Sequence, residues 1–143
     1  MKILLAVDDS KFSEAAVKSL AGQFRPQDTE VRILHVVEPV VIAEPPQMSS
    51  GYYPELEDRL PQAHDVVDRA AKTLSSAGFK VTKSVATGDA RSIILEAAAE
   101  LHADMIVVGS HGRKGLERFF LGSVSDAVAR HAQCSVQIVR IPK

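Results

Sequence analysis

Residues 109–125, GSHGRKGLERFFLGSVS, follow directly on the apolar run DMIVV and bring glycines, hydroxyls and three basic side chains together. These are the residue types of an anion cradle. Glycine lets the backbone turn with positive φ and lets another group approach closely, and successive N–H groups leading into a helix N-terminus attract negative charge. Gly109 and Gly112 allow a tight turn off a strand. Gly122 opens a helix, where the hydroxyls of Ser123 and Ser125 join the unpaired N–H groups as partners for phosphate oxygens. Arg113 and Lys114 add positive charge to the same rim. Two familiar phosphate motifs are absent. A Walker A loop needs Gly-Lys followed by Ser or Thr, whereas Lys114 is followed by Gly115, and VDDSKF after the first apolar run lacks the glycines of a dinucleotide turn. Short glycine patterns often arise by chance, so G-x-x-G alone favours a plain turn and helix start.

The other polar candidates have structural roles as their first reading. Asp8 and Asp9 end the first apolar run, where adjacent side chains point in opposite directions, so Asp9 serves a cap or solvent rather than an acid pair. His35 lies within an apolar run and reads as a hydrogen-bonded core or rim histidine. His111, in the glycine stretch, is balanced between phosphate and solvent. His64, His102 and His131 have no partner at metal-ligand spacing, and Cys134 reads as packing.

The elements that position these residues follow from the pattern of apolar runs. KILLAV (2–7), VRILHVV (31–37), DMIVVG (104–109) and SVQIVRI (135–141) read as strands, and FKVTKSVAT (79–87) as a strand with one wetter face. Between them lie helical segments: SKFSEAAVKSLAGQF with Ser10 or Ser13 as cap, 62–77 with the stripe Ala63, Val66, Val67, Ala70, Ala71, Leu74, a third opened by Asp89, and SVSDAVARHA (123–132). Gly78 stands where a C-terminal cap glycine belongs. Strict alternation predicts an α/β fold with a five-stranded parallel sheet and helices on both faces, which places ligands beyond the carboxyl ends of the strands. Residues 38–61, with five prolines, are expected to form a long irregular connection, either a lid or a linker.

Composition bounds what this fold does. The 143 residues suffice for one good core, and 45% hydrophobic with 24% charged residues is a globular balance, so one domain spanning 1–143 is expected. A net charge of −1 gives no global field toward nucleic acid or a membrane surface. One cysteine makes no intrachain disulfide, which suits a reducing cytoplasm, and Asp8 and Asp9 interrupt the first apolar run well short of a signal sequence or a span.

The spacing Gly109-x2-Gly112-x9-Gly122-Ser123 resembles the nucleotide-binding signature of the universal stress protein family. The likeness continues through KILLAVDDSKFSEAAV, LHVVEP, TGDARSIILEAAAELHADMIVVGSHGR and on to the last strand, with HAQCSV where the family often has HAPCPV. It implies a three-layer, Rossmann-like sandwich of the adenine nucleotide alpha hydrolase-like type. It further implies that the ligand is ATP, with Asp8 on the ribose and Ala6 and Val36 near the adenine. Gly109 would lie on the ribose side and Gly112, Gly122, Ser123, Val124 and Ser125 around the triphosphate. Closely spaced phosphates call for a divalent ion, Mg²⁺ or Mn²⁺. The function implied is that of a cytoplasmic, stress-responsive regulatory protein acting as a nucleotide-responsive homodimer. The rival enzyme, a slow ATPase or phosphotransferase, needs a metal-carboxylate set that the sequence does not display. A nucleotide-free chaperone-like or scaffold protein is the third alternative. The homodimer is expected through residues 135–141, an edge strand stopped by Pro142, with Val139→Pro removing one of its outward donors.

Overall fold

Lys2–Ala6 is apolar at every position after its lysine, and both of its faces are buried: Ile3 and Leu5 enter one apolar layer, Leu4 and Ala6 the other. Such a strand needs helices above and below it, a condition that right-handed β-α-β crossovers meet. The computed structural model describes residues 1–39, 54–112 and 121–141, with the backbone alone for 54–58. In chain order the elements are β1 (Lys2–Ala6), α1 (Lys11–Gln23), β2 (Glu30–Val37), α2 (Pro54–Ser76), β3 (Lys80–Thr87), α3 (Ala90–Leu101), β4 (Met105–Gly109), α4 (Ser123–His131) and β5 (Ser135–Val139). The strands are ordered β3-β2-β1-β4-β5 and every neighbouring pair is parallel. This is the α/β, five-stranded parallel architecture that the alternation predicts. α1 and α2 cover one face, packing Ala16, Leu20, Val67 and Leu74 on Ile3, Leu5 and Ile33. α3 and α4 cover the other, packing Ile94, Ala98 and Val128 on Leu4, Leu34 and Ile106.

Helix ends follow side-chain chemistry. Ser10, not Ser13, caps α1, its Oγ accepting from the Ser13 N–H at 3.2 Å. Asp89 caps α3 by accepting from Ser92, and the hydrogen bonds from Ser92 hold its carboxyl below the ordinary carboxylate value. α2 closes with paired bonds from Gly78 N–H to Ser75 O and Phe79 N–H to Leu74 O. Gly78 takes φ +97° there, a conformation suited to glycine. α3 closes the same way on His102 at φ 54°, a position where glycine is the usual occupant.

Two expectations need correcting. The irregular connection expected over 38–61 gives way to helix at Pro54, because a proline in the first turn leaves no helical bond unmade. Pro61 lies inside the helix, its missing bond offset by burial of the stripe Ala63, Val66, Val67, Ala70 and Leu74. The remainder, 40–53, is outside the described residues, so the lid and linker alternatives both lie there. The last strand ends at Val139 rather than residue 141. The Val139 carbonyl accepts from the Ser110 N–H at 2.8 Å, so the backbone groups of Val139 face β4 and not the open edge. Backbone groups of successive strand residues point to opposite sides, so Val136 and Ile138 are the ones that face outward. Pro142 is outside the described residues.

Candidate functional site

The chain leaves β1 through α1 toward β2 on one side and leaves β4 through α4 toward β5 on the other, so strand order reverses between β1 and β4. A crevice opens beyond the carboxyl ends of two strands that diverge in this way. Asp8 stands on one wall. Its N–H donates to Ser13 Oγ at 2.7 Å, and its Oδ1 accepts from the Ser13 hydroxyl and the Ser10 N–H, each at 2.9 Å. Gly112 faces it from the other wall, so near that a Cβ built on Gly112 would lie 3.1 Å from Asp8 Oδ2. Residues 104 positions apart in sequence thus meet at the switch point.

The turn after β4 is tied down by Ser110, which is only 2% exposed. Its N–H donates to Val139 O, and its carbonyl accepts from the Gly122 N–H at 2.8 Å and the Ser125 hydroxyl at 2.7 Å. Gly122 is the N-cap of α4, and a Cβ there would come within 3.1 Å of His111 Cα and 3.3 Å of Ser110 O. No side chain caps α4 among the described residues. Its first-turn N–H groups, on Ser123, Val124 and Ser125, have no helical acceptor. The contrast with α3 is direct. Asp89 occupies that helix's N-terminus, and Glu38 Oε1 accepts from the Ala90 N–H at 3.1 Å, so two carboxylates already fill the place an anion would take.

The structure divides the expected site residues by role. Asp8, Gly112 and Gly122 converge on the crevice. Ser123 is exposed at the start of α4, where its hydroxyl reaches solvent. Ser125 is buried, and its hydroxyl donates under the turn to Ser110 and Gly122, so it can offer a ligand its N–H rather than its hydroxyl proton. Gly109 has a packing duty: a Cβ there would lie 2.9 Å from Phe12 C, Cβ and O. Ala6, Val36 and Val124 belong to the apolar layer under α3 and α4, two of them half-buried. Arg113 and Lys114 lie outside the described residues. His35 is the hydrogen-bonded rim histidine expected, its Nδ1 2.7 Å from Val7 O, and burial pushes the Cys134 thiol up, in keeping with packing.

Three contributors escape a reading of the sequence. Ser13 and Ser110 hold the two walls, and Phe12 meets the end of β4, its ring tilted against that of His111 with centroids 5.1 Å apart. The Asp8-x4-Ser13 spacing, one turn into a helix, is the only signal that points to any of them. A separate groove of about 370 Å³ runs between α1 and α2, floored by Val7, Val17 and Val66. Of the site residues it shares Asp8 and Ser13.

Comparison with known proteins adds the family. The model of the universal stress protein family matches residues 1–140. A universal stress protein of Methanocaldococcus jannaschii is 30% identical over 143 residues, which cover 99% of this chain and 83% of that protein. The solved universal stress protein UspA of Lactobacillus plantarum superposes with a TM-score of 0.86 at 22% identity, covering 98% of this chain and 97% of that one. A family protein of Arabidopsis thaliana, solved with AMP bound, has a TM-score of 0.70 at 19% identity, with 99% and 92% of the chains covered. Two further neighbours at 20% identity, with TM-scores of 0.67 and 0.70, were solved with cAMP and dAMP. With its sheet order, its crevice and a match that runs almost from end to end, this chain belongs to the universal stress protein family.

Proposed function

We propose that this protein binds an adenine nucleotide, ATP with Mg²⁺ or Mn²⁺, in the crevice between β1 and β4, and that it acts in the cytoplasm as a nucleotide-responsive regulatory protein. The observation that carries this reading is the approach of Asp8 to Gly112 beside an α4 N-terminus that no side chain caps among the described residues. A carboxylate accepts from sugar hydroxyls, and N–H groups at a helix start donate to phosphate oxygens, so one nucleotide spans both. Gly122 fits a phosphate in particular, because any side chain there would crowd the turn that shapes the cradle. Ala6 and Val36 offer the apolar surface assigned to the base, and Val124 lines the phosphate end. Gly109, Ser123, Ser125 and Arg113 complete the proposed contacts, Gly109 and Ser125 through their backbone. A divalent ion would accompany the phosphates and offset part of their charge. Neighbours solved with AMP, cAMP and dAMP support the choice of an adenine ligand. Titration calorimetry with ATP and Mg²⁺ is expected to give one saturable site and a raised melting temperature. No heat and no stabilisation at millimolar ligand would overturn the reading.

The proposal includes a homodimer through residues 135–141. β5 lies at an edge of the sheet, and its outward groups can pair with a second copy across a two-fold axis. Because Val139 faces β4, the informative proline belongs at Ile138. Sedimentation is expected to show a dimer that Ile138→Pro dissociates. A wild-type monomer at roughly tens of micromolar, the working range for a moderately stable dimer, would count against the interface.

A further inference from the structure

We infer that Ser13 is a positioning residue for Asp8, and that through it the site selects nucleotides whose ribose carries free hydroxyls. This rests on the nucleotide reading above and goes beyond it by naming what fixes sugar selectivity. The Ser13 hydroxyl has one proton and two lone pairs, and both functions are directed at one neighbour: it accepts from the Asp8 N–H at 2.7 Å and donates to Asp8 Oδ1 at 2.9 Å. The Ser10 N–H adds a second donor to the same oxygen at 2.9 Å. With Oδ1 held from two directions the carboxylate does not rotate, and Oδ2 is kept on the Gly112 side of the crevice. Ser13 is itself fixed, 6% exposed in the first turn of α1, with its N–H donating to Ser10 Oγ. Water therefore has little access to replace its hydroxyl. A carboxylate held in one orientation meets a sugar hydroxyl without losing rotational freedom on binding, whereas a freely turning one must be ordered each time.

The test compares ATP with 2′,3′-dideoxy-ATP by calorimetry, because the two differ only in the hydroxyls that a carboxylate accepts from. Wild type is expected to prefer ATP by about tenfold or more, the scale of a hydrogen bond to a charged group. Ser13→Ala is expected to narrow that preference to within about threefold, through weaker ATP binding alone, with dideoxy-ATP affinity unchanged. A merely structural loss would weaken both ligands together and leave their ratio in place. Ser13→Cys, similar in volume and a weak donor, must show the same narrowing and serves if Ser13→Ala does not fold. Asp8→Asn is expected to remove the preference, with Ser13→Ala adding nothing further to it, since one residue acts through the other. Full preference in folded Ser13→Ala or Ser13→Cys would overturn the inference. So would a wild type that binds both nucleotides equally, although nucleotide binding would then stand. A wild type that binds neither overturns the nucleotide reading and this inference with it.

Discussion

Gly109→Ala is expected to lower the unfolding free energy by about 3 kcal/mol, the upper end of the usual cost of overpacking a filled core. The new methyl would lie 2.9 Å from three atoms of Phe12, two of them backbone. A flexible side chain could swing aside, but a carbonyl in the first turn of a helix moves only if the helix moves. α1 is not free to do so: its start is fixed by the Ser10 cap and by the bonds between Asp8 and Ser13, and its apolar stripe is buried on the sheet. Urea denaturation checks the expectation. A loss below about 0.5 kcal/mol, the range of an ordinary surface substitution, would show that α1 shifts without cost. The first glycine of the pattern then acts through packing, and any drop in nucleotide affinity in a Gly109 variant should track its loss of stability.

Gly122→Val should behave differently, losing about 100-fold in nucleotide affinity while the fold persists at a cost of about 1–2 kcal/mol. Its Cβ would press on His111 Cα and the Ser110 carbonyl, so the 110–112 turn must back away from the start of α4. In the proposed site that turn and the α4 N–H groups would form the cradle together, and separating them would remove two or three charge-assisted bonds to phosphate at once. The substitution also replaces a good N-cap with a poor one, which adds to the stability cost. Calorimetry with ATP and Mg²⁺, beside an unchanged circular dichroism spectrum, tests the claim. Wild-type affinity in the folded variant would remove Gly122 from the site.

The strands were legible because they are buried on both faces, which leaves almost no polar residue in β1 or β4 to obscure them. The caps at Asp89 and Gly78 were legible because their chemistry is local. What escaped depends on atoms far apart in the chain. Gly109 and Gly122 look alike in sequence, and only the structure shows that one is packed on Phe12 and the other on the 110–112 turn. The period of β5 was readable, but which of its residues face β4 depends on register with Gly109, and that placed Val139 on the inner side. The start of α2 was missed because Pro54 and Pro61 read as breakers, whereas the structure tolerates one at the first turn and buries enough beyond the other. Ser125 was expected to show its hydroxyl to a ligand, and burial turned it toward Ser110 instead.

Ser110 bonds β5 through its N–H and α4 through its carbonyl, so a single peptide segment joins the outer strand to the start of α4. A dimer seam on β5 and a nucleotide on α4 would then pull on the same residue from opposite sides. Coupling of that kind is thermodynamically reciprocal: whatever association does to nucleotide affinity, nucleotide must do to association by the same factor. In a cell the occupancy of such a protein would report its own abundance as well as the supply of nucleotide. A rise in copy number alone would then change how the same nucleotide pool is sensed.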